Sequence, residues 1–305
     1  MPSRALAPAG VGAIHESPVT RLRQRDLGAT MTGKRSQAAR YVHGYSATEA
    51  QRLGDQADTL AELLHHDTLY PAGARVLEIG CGVGAQTRHL LRHSPRARFV
   101  CVDREQSSLA QARAALAADR GASALTFVRG DLFALPFAPR SFDHVFVCFV
   151  LEHLDRPLLA LRALQDVLRP GGSVTVIEGD HGSAFFHPAS GKARRTIDCL
   201  VEAQARGGGD ANIGRRLFPL LTEAGLRDVT VSPRFVYADA SRPRWVDGFT
   251  RKTFIAMVAG AREASLRLGL MGEAEWAEGI ADLERSALDD GTFCYTFFKA
   301  TAKVG

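Results

Sequence analysis

Between Glu78 and Gly84 the chain reads Glu-Ile-Gly-Cys-Gly-Val-Gly, directly after Val76-Leu77. Glycines at alternate positions after an apolar strand form a turn on which a ligand can touch backbone, because no Cβ intervenes. In open α/β sheets such a turn lies outside the carboxyl ends of the strands, where ligands bind. Two chemistries fit it. Gly80, Gly82 and Ala85 satisfy the dinucleotide pattern G-x-G-x-x-A, and Asp103 closes the next strand about 20 residues later, where an acid that accepts ribose hydroxyls belongs. A nucleoside cofactor without phosphate fits the same residues. On these features alone an NAD-dependent oxidoreductase stays open.

A second concentration of reactive side chains is Glu178-Gly179-Asp180-His181-Gly182-Ser183. It leaves the fifth strand at its carboxyl end, facing the place of a second substrate. His181 titrates near neutrality and can serve as a general base, with Glu178 and Asp180 as alternative proton acceptors. The segment reads as a polar turn whose two glycines admit a substrate. His153, in Glu152-His153, reads as a structural residue at a helix start. His187, Arg194, Arg195, Arg215 and Arg216 follow, and would hold an anionic substrate group if they converge. Phe185, Phe186, Tyr237, Trp245, Phe249 and Phe254 can wall an apolar pocket or belong to the core. No ligand spacing is distinctive of a metal.

The elements that must position these groups alternate. Ser46-Ala-Thr-Glu49 has capping-box spacing ahead of a helix with Leu53, Ala57, Leu60 and Leu64 on one face. Strands are expected at Arg75–Ile79, Arg98–Val102, Leu125–Arg129, Asp143–Phe149 and Ser173–Glu178. Helices are expected at Gln86–His93, Ser107–Asp119 and Leu158–Leu168. Strand–helix alternation with short connections means parallel strands and right-handed crossovers, and nearly all-apolar strands mean that both faces are covered. Helices follow at Ala189–Arg206 and Ile213–Ala224, then a strand at Arg227–Tyr237. Helical stretches Ser241–Leu270 and Glu273–Leu288, and a last strand Gly291–Ala302, complete the chain.

Four further features separate the two cofactor chemistries. Glu78 precedes the glycines by two positions, Gly130-Asp131-Leu132 follows the third strand, Cys148-Phe149-Val150-Leu151-Glu152-His153-Leu154 follows the fourth, and Leu168-Arg169-Pro170-Gly171-Gly172 enters the fifth. Together with Glu78–Gly84 and Asp103, these resemble the class I S-adenosylmethionine-dependent methyltransferase family over roughly residues 41–237. The resemblance implies an α/β fold: a doubly wound, Rossmann-like, seven-stranded sheet, mostly parallel with an antiparallel last strand, plus helical cap insertions. It divides the chain into an arm (1–36), a helical cover (37–70), a cofactor-binding core (71–240), a helical insertion (241–290) and a final core strand (291–305).

It also implies roles. Gly80, Gly82 and Gly84 would approach the methionine part of the cofactor, and Glu78 would orient that loop or meet the amino group. Asp103 would accept both ribose hydroxyls, with Arg104 over the adenine. Asp131 would accept the adenine amino group, and Leu132 would pack on the ring. Backbone at Cys148–Phe149 would line the sulfonium. Tyr41 or Tyr45 would cover the cofactor and donate to its carboxylate. A sulfonium, an ammonium and two hydroxyls suit carboxylates and carbonyls, and no P-loop lysine is present. The pattern looks like bacterial secondary-metabolite and quinone methyltransferases, so the expected partner is a small-molecule acceptor, aromatic or isoprenoid, methylated at O, N or C. A non-catalytic cofactor-binding subunit is the remaining alternative.

Bulk properties agree with a globular enzyme. Of 305 residues, 46% are hydrophobic and 23% charged, with a net charge of only +5 spread along the chain. Nucleic acid is therefore not an expected partner, nor is a membrane, and a homo-oligomer is compatible. Five widely spaced cysteines without a CxxC pair read as reduced packing residues. Without a signal-peptide pattern, the expected location is the cytoplasm.

Overall fold

The computed structural model describes residues 47–305, with side chains from residue 51 onward. The arm over 1–36, Tyr41, Tyr45 and the side chains of the Ser46–Glu49 capping box lie outside the described residues. Seven strands form one sheet: β1 (Arg75–Ile79), β2 (Arg98–Asp103), β3 (Leu125–Arg129), β4 (Phe142–Cys148), β5 (Leu168–His187), β6 (Arg227–Ala238) and β7 (Thr292–Lys303). Their order is β3-β2-β1-β4-β5-β7-β6. The first five are mutually parallel, and β7 runs antiparallel between β5 and β6. The order reverses at β1, so the ligand crevice of an open α/β sheet falls at the ends of β1 and β4.

Alternation along the strands sends residues to two cores. Val76, Phe99, Phe146 and Ile177 face one side. There they meet Leu60 and Leu64 of α1 (Ala47–His65), Leu90 of α2 (Ala85–His93), and Ile197 and Leu200 of α5 (Gly191–Arg206). Leu77, Val145, Val147 and Val176 face the other side, against Leu161 and Leu164 of α4 (Pro157–Val167) and Leu221 of α6 (Leu217–Glu223). α3 (Gln106–Leu116) joins β2 to β3. All five cysteines are buried free thiols.

One expectation about elements is corrected and another refined. β5 does not stop at Glu178. It continues to His187 because β7 pairs with it beyond that point: Glu178 with Phe298, Asp180 with Thr296 and, after a bulge, Phe185 with Cys294. Glu178–Ser183 is therefore bulged strand rather than a free turn; long-range pairing overrides the turn preference of its glycines. The helical stretch expected over Ser241–Leu270 is present over 243–267, but it changes register along its length. α7 (Pro243–Trp245) leads into a π-helix (Val246–Ile255), α8 (Ala256–Gly260) and α9 (Arg262–Arg267), with α10 (Glu273–Arg285) after it. The Thr253 hydroxyl donates to the carbonyl of Gly248, five residues back, at 2.7 Å, which supports the wider register.

Candidate active site

The glycine loop opens with Gly80 and Cys81 donating to the carbonyl of Val102 at 2.8 and 3.1 Å, which ties it to the end of β2. Gly80, Gly82 and Gly84 all have positive φ (67°, 52° and 82°), a region that L side chains avoid. Their surroundings differ. A Cβ on Gly80 would strike Val150, and one on Gly84 would come within 2.8 Å of Leu116 in α3, whereas one on Gly82 would meet nothing within 4 Å among the described residues. Gly80 and Gly84 thus serve packing, and Gly82 is the point where backbone faces open space.

Asp103 stands beside that point. Its Oδ2 accepts from the Gly82 amide and its Oδ1 from the Glu105 amide, both at 2.9 Å. An ionised carboxylate has about four acceptor positions, so two remain for hydroxyls of a ligand. Glu78 lies beneath the loop, 2% exposed, and accepts from the Thr87 hydroxyl of α2 at 2.7 Å. Burial pushes its carboxyl up to about 7, and the nearby Asp103 charge adds to the rise. Its contacts make it a strut between β1 and α2. Asp131 is exposed and accepts from the Phe133 amide at 2.9 Å, an Asx turn that presents buried Leu132 beside it. Arg104 is exposed, 3.6 Å from the Glu105 carboxylate.

At the end of β4, Cys148 is buried, and burial pushes its thiol well above the ordinary range. Phe149 has φ 57°, a left-handed backbone unusual for a bulky side chain. Its amide donates to Ile177 at 2.9 Å, and its ring sits 5.5 Å from Phe297. Sequence reasoning missed this strained residue, since nothing in its type signals the conformation. Strain of this kind concentrates at functional sites.

The second concentration of reactive groups is rearranged relative to expectation. Both oxygens of Asp180 are held by Arg215, at 2.8 and 2.6 Å. Glu178 is fully buried, and its Oε1 accepts from the Val150 and Leu151 amides at 3.0 and 2.8 Å. Among the described residues its Oε2 has no hydrogen-bond partner. Burial, reinforced by the neighbouring Glu152 charge, holds its carboxyl well above the ordinary range. His181 is buried as well; its Nδ1 hydrogen-bonds the Tyr295 hydroxyl at 2.7 Å, and its Nε2 lies 3.9 Å from Glu152. Burial lowers its pKa, against the opposing pull of Glu152, so the ring is neutral at physiological pH.

The expectation that Gly179 and Gly182 leave room for substrate does not hold. The space over Gly179 is taken by the Tyr295 hydroxyl, and that over Gly182 by Arg215 and Asn212. Nor do the arginines converge. Arg194 donates to Ala184 and lies over Phe186, Arg195 donates to Leu270, and Arg216 pairs with Asp210. Phe249 and Phe254 pack with Phe293 and Tyr295 in the core, whereas Phe185 is exposed beside Phe235. Among the described residues no group of three or more His, Cys, Asp or Glu is arranged to hold a metal.

Glu152 and Tyr295 are the residues that sequence reading left out of this cluster. Glu152 sits on the 3₁₀ turn Leu151–His153, three residues past Phe149. Its carbonyl accepts from the Asp210 amide at 2.8 Å and from Gln204 at 3.0 Å, which pins the turn to α5. Its place after β4 was visible, but its nearness to His181 was not.

Residues 77–176 match the family model described as a methyltransferase domain. The chain is 33% identical over 145 residues to the ubiquinone/menaquinone biosynthesis C-methyltransferase UbiE of Paracoccus denitrificans, covering 45% of this chain and 58% of that protein. It is 29% identical over 227 residues to the malonyl-(acyl-carrier protein) O-methyltransferase of Herminiimonas arsenicoxydans, covering 73% and 77%. Among solved structures, phosphoethanolamine N-methyltransferase 2 of Haemonchus contortus, crystallised with S-adenosyl-L-methionine, superposes with a TM-score of 0.51 at 18% identity, covering 81% of this chain and 52% of that one. The (4+2)-cyclase SpnF superposes at 0.50 with 21% identity, covering 83% and 81%. These two speak for the fold alone. The similarity is to S-adenosylmethionine-dependent methyltransferases, over the methyltransferase domain at residues 77–176 and its flanks, and S-adenosylmethionine is the cofactor that goes with that family. Over UbiE the chain spans little more than half the relative's length.

Proposed function

We propose that the protein transfers a methyl group from S-adenosylmethionine to a small-molecule acceptor, aromatic or isoprenoid, at O, N or C. The observation that carries the reading is Asp103, tied to the amide of the one loop glycine that faces open space, in a site with no phosphate-binding lysine. Acceptor-only carboxylates suit the hydroxyls and cationic groups of this cofactor. In this reading Gly80, Gly82 and Gly84 bring backbone to the methionine part. Asp103 takes the ribose, Asp131, Leu132 and Arg104 frame the adenine, and Glu78 braces the loop through Thr87. Cys148 and Phe149 line the reacting end, and Tyr41 and Tyr45 cover it. The relatives' names differ in the atom methylated, carbon in ubiquinone/menaquinone biosynthesis and oxygen on malonyl-(acyl-carrier protein), so they support methyl transfer without fixing the acceptor.

When bound, the cofactor supplies an electrophilic methyl on a sulfonium. The chain's part is alignment of the acceptor, exclusion of water and, where needed, removal of a proton. Of the three groups first assigned to that removal, Asp180 is engaged by Arg215 and Glu178 braces the turn after β4. His181 is buried, with its pKa lowered by that burial and its Nδ1 engaged by the Tyr295 hydroxyl. Thermal shift with S-adenosylhomocysteine and with NAD tests the cofactor: stabilisation by the former alone is expected, and stabilisation by NAD alone would overturn the assignment. Incubation with cofactor and metabolites of the native host, searched by mass spectrometry for products heavier by one methylene, tests the transfer.

A further inference from the structure

Around the end of β4, several polar groups meet from separate elements. Glu152 comes from the 3₁₀ turn, Glu178 and His181 from β5, and Tyr295 from β7. Glu178 Oε2 is the telling atom. It belongs to a side chain with no exposed surface, in the ring of polar groups around Glu152, yet among the described residues it has no hydrogen-bond partner. An unsatisfied buried oxygen is destabilising, and a ligand's polar group placed against it would remove that penalty. Glu152 is nearly as buried, with a side chain 10% exposed. Its backbone is fixed by Asp210 and Gln204, and His181 faces it at 3.9 Å while braced by Tyr295.

The geometry points to Glu152 as the general base that takes a proton from the methyl acceptor, and therefore to an acceptor that presents an O–H or N–H beside Glu178. This rests on the methyltransferase reading and narrows it to protic acceptors. As the acceptor's oxygen or nitrogen forms its bond to the methyl carbon, the methyl–sulfur bond breaks and leaves its electron pair on sulfur. The acceptor's proton moves to the Glu152 carboxylate and is later lost to solvent. His181 and Tyr295 are positioning residues: with Nδ1 accepting from the tyrosine hydroxyl, the imidazole N–H turns to Glu152 and favours its ionised form. Among the described residues, the groups near Glu152 include Glu178 and His181 of β5, Tyr295 of β7 and its neighbour His153. Asp180 of β5 and Arg52 of α1 lie close enough to act on His181. Burial, and after it the Glu152 charge, raise the Glu178 carboxyl well above the ordinary range.

The test uses the full chain and its Glu152→Gln, Glu152→Asp and His181→Asn variants. S-adenosylhomocysteine affinity is measured by calorimetry. Transfer is measured on a panel of phenols, hydroxy acids and primary amines, set against alkenyl diphosphates, with the methylated atom located by mass spectrometry. The expected result is affinity unchanged within about threefold in all variants, and methyl on oxygen or nitrogen. Glu152→Gln should lose at least about 100-fold in kcat with little change in KM, with partial recovery in Glu152→Asp. In His181→Asn the acid limb of the kcat profile should move to higher pH, because the base loses its favouring dipole. If Glu152→Gln does not fold, that shifted limb carries the test. Full kcat in Glu152→Gln, an unmoved limb in His181→Asn, or transfer by the wild type to carbon alone or to none of the protic panel would overturn the inference. A wild-type chain that binds no S-adenosylhomocysteine would instead remove the reading on which it rests.

Discussion

Asp103 and Gly82 form the smallest unit that carries the cofactor reading. Removing the carboxylate takes away the anchor of the Gly82 amide and, in the proposed reading, the acceptor for two ribose hydroxyls. Hydrogen bonds to a charged group are worth roughly 1.5–3 kcal/mol. Asp103→Ala should therefore weaken S-adenosylhomocysteine binding by about 10- to 100-fold, as read by calorimetry. An affinity within twofold of wild type would place the ribose elsewhere. The same scale shows what a residue's type conceals. His181 was visible in the sequence as a titratable group, but its bond to Tyr295 joins residues 114 positions apart, and no local pattern announces it. The left-handed Phe149 was equally hidden.

The N-terminal helix α1 is held by one residue of the last strand. Lys299 is 4% exposed, and its ammonium donates to the Leu64 carbonyl, Thr68 and Asp67 at 3.1, 2.6 and 2.5 Å. It thus satisfies an orphan carbonyl at the helix end. Burial lowers its pKa, and the bond to Asp67 opposes that fall. Burial alone would raise Asp67, but Lys299 and Arg234 together hold it down to about 2. Lys299→Met keeps the apolar stem and removes the donors. It should cost roughly 2–4 kcal/mol, by analogy with breaking one side of a buried pair. The drop should appear as a lower Tm and as earlier proteolytic cleavage of α1; a Tm within 2 °C would mean that packing alone holds the helix. The helical patterns of α1 to α4 were legible because each repeats within its own segment. The length of β5 was not, because its continuation depends on β7, more than a hundred residues later.

For the whole molecule, buried titratable groups set the pH range of stability. His65 is packed between α1 and the sheet, its Nε2 bonded to Gln86 at 2.7 Å, and burial lowers it from 6.5 to about 3. It is neutral when folded and takes up a proton on unfolding, so its contribution is lost as pH falls through that window, on the order of 4 kcal/mol in full. Glu78 acts in the opposite sense. It keeps its proton when folded, raised from 4.5 to about 7, so stability falls as pH rises across that range. Asp67, lowered from 3.8 to about 2, adds to the loss in acid. The two larger effects oppose each other between 4.5 and 6.5, which should give a flat Tm there and a steep fall below. In His65→Gln the flat interval should tilt toward a decline with rising pH, as the contribution that opposes Glu78 is removed. Scanning calorimetry from pH 3 to 7.5 checks this, and an unchanged profile shape would remove His65 from the account.

The seven-stranded sheet, the glycine loop and the acid at the end of β2 were readable in the chain order, because alternation, glycine spacing and strand-end acids are local features that backbone geometry enforces within a few residues. The reversed β7 and the family's cofactor came from resemblance among such local features taken together. Folding decided which polar groups share one small volume. Asp180 went to Arg215, the space over Gly179 went to Tyr295, and Glu152 came to face His181 beside an unsatisfied oxygen of Glu178. These partners come from elements far apart in sequence, and their choice is made by sheet pairing and core packing, which no segment encodes alone.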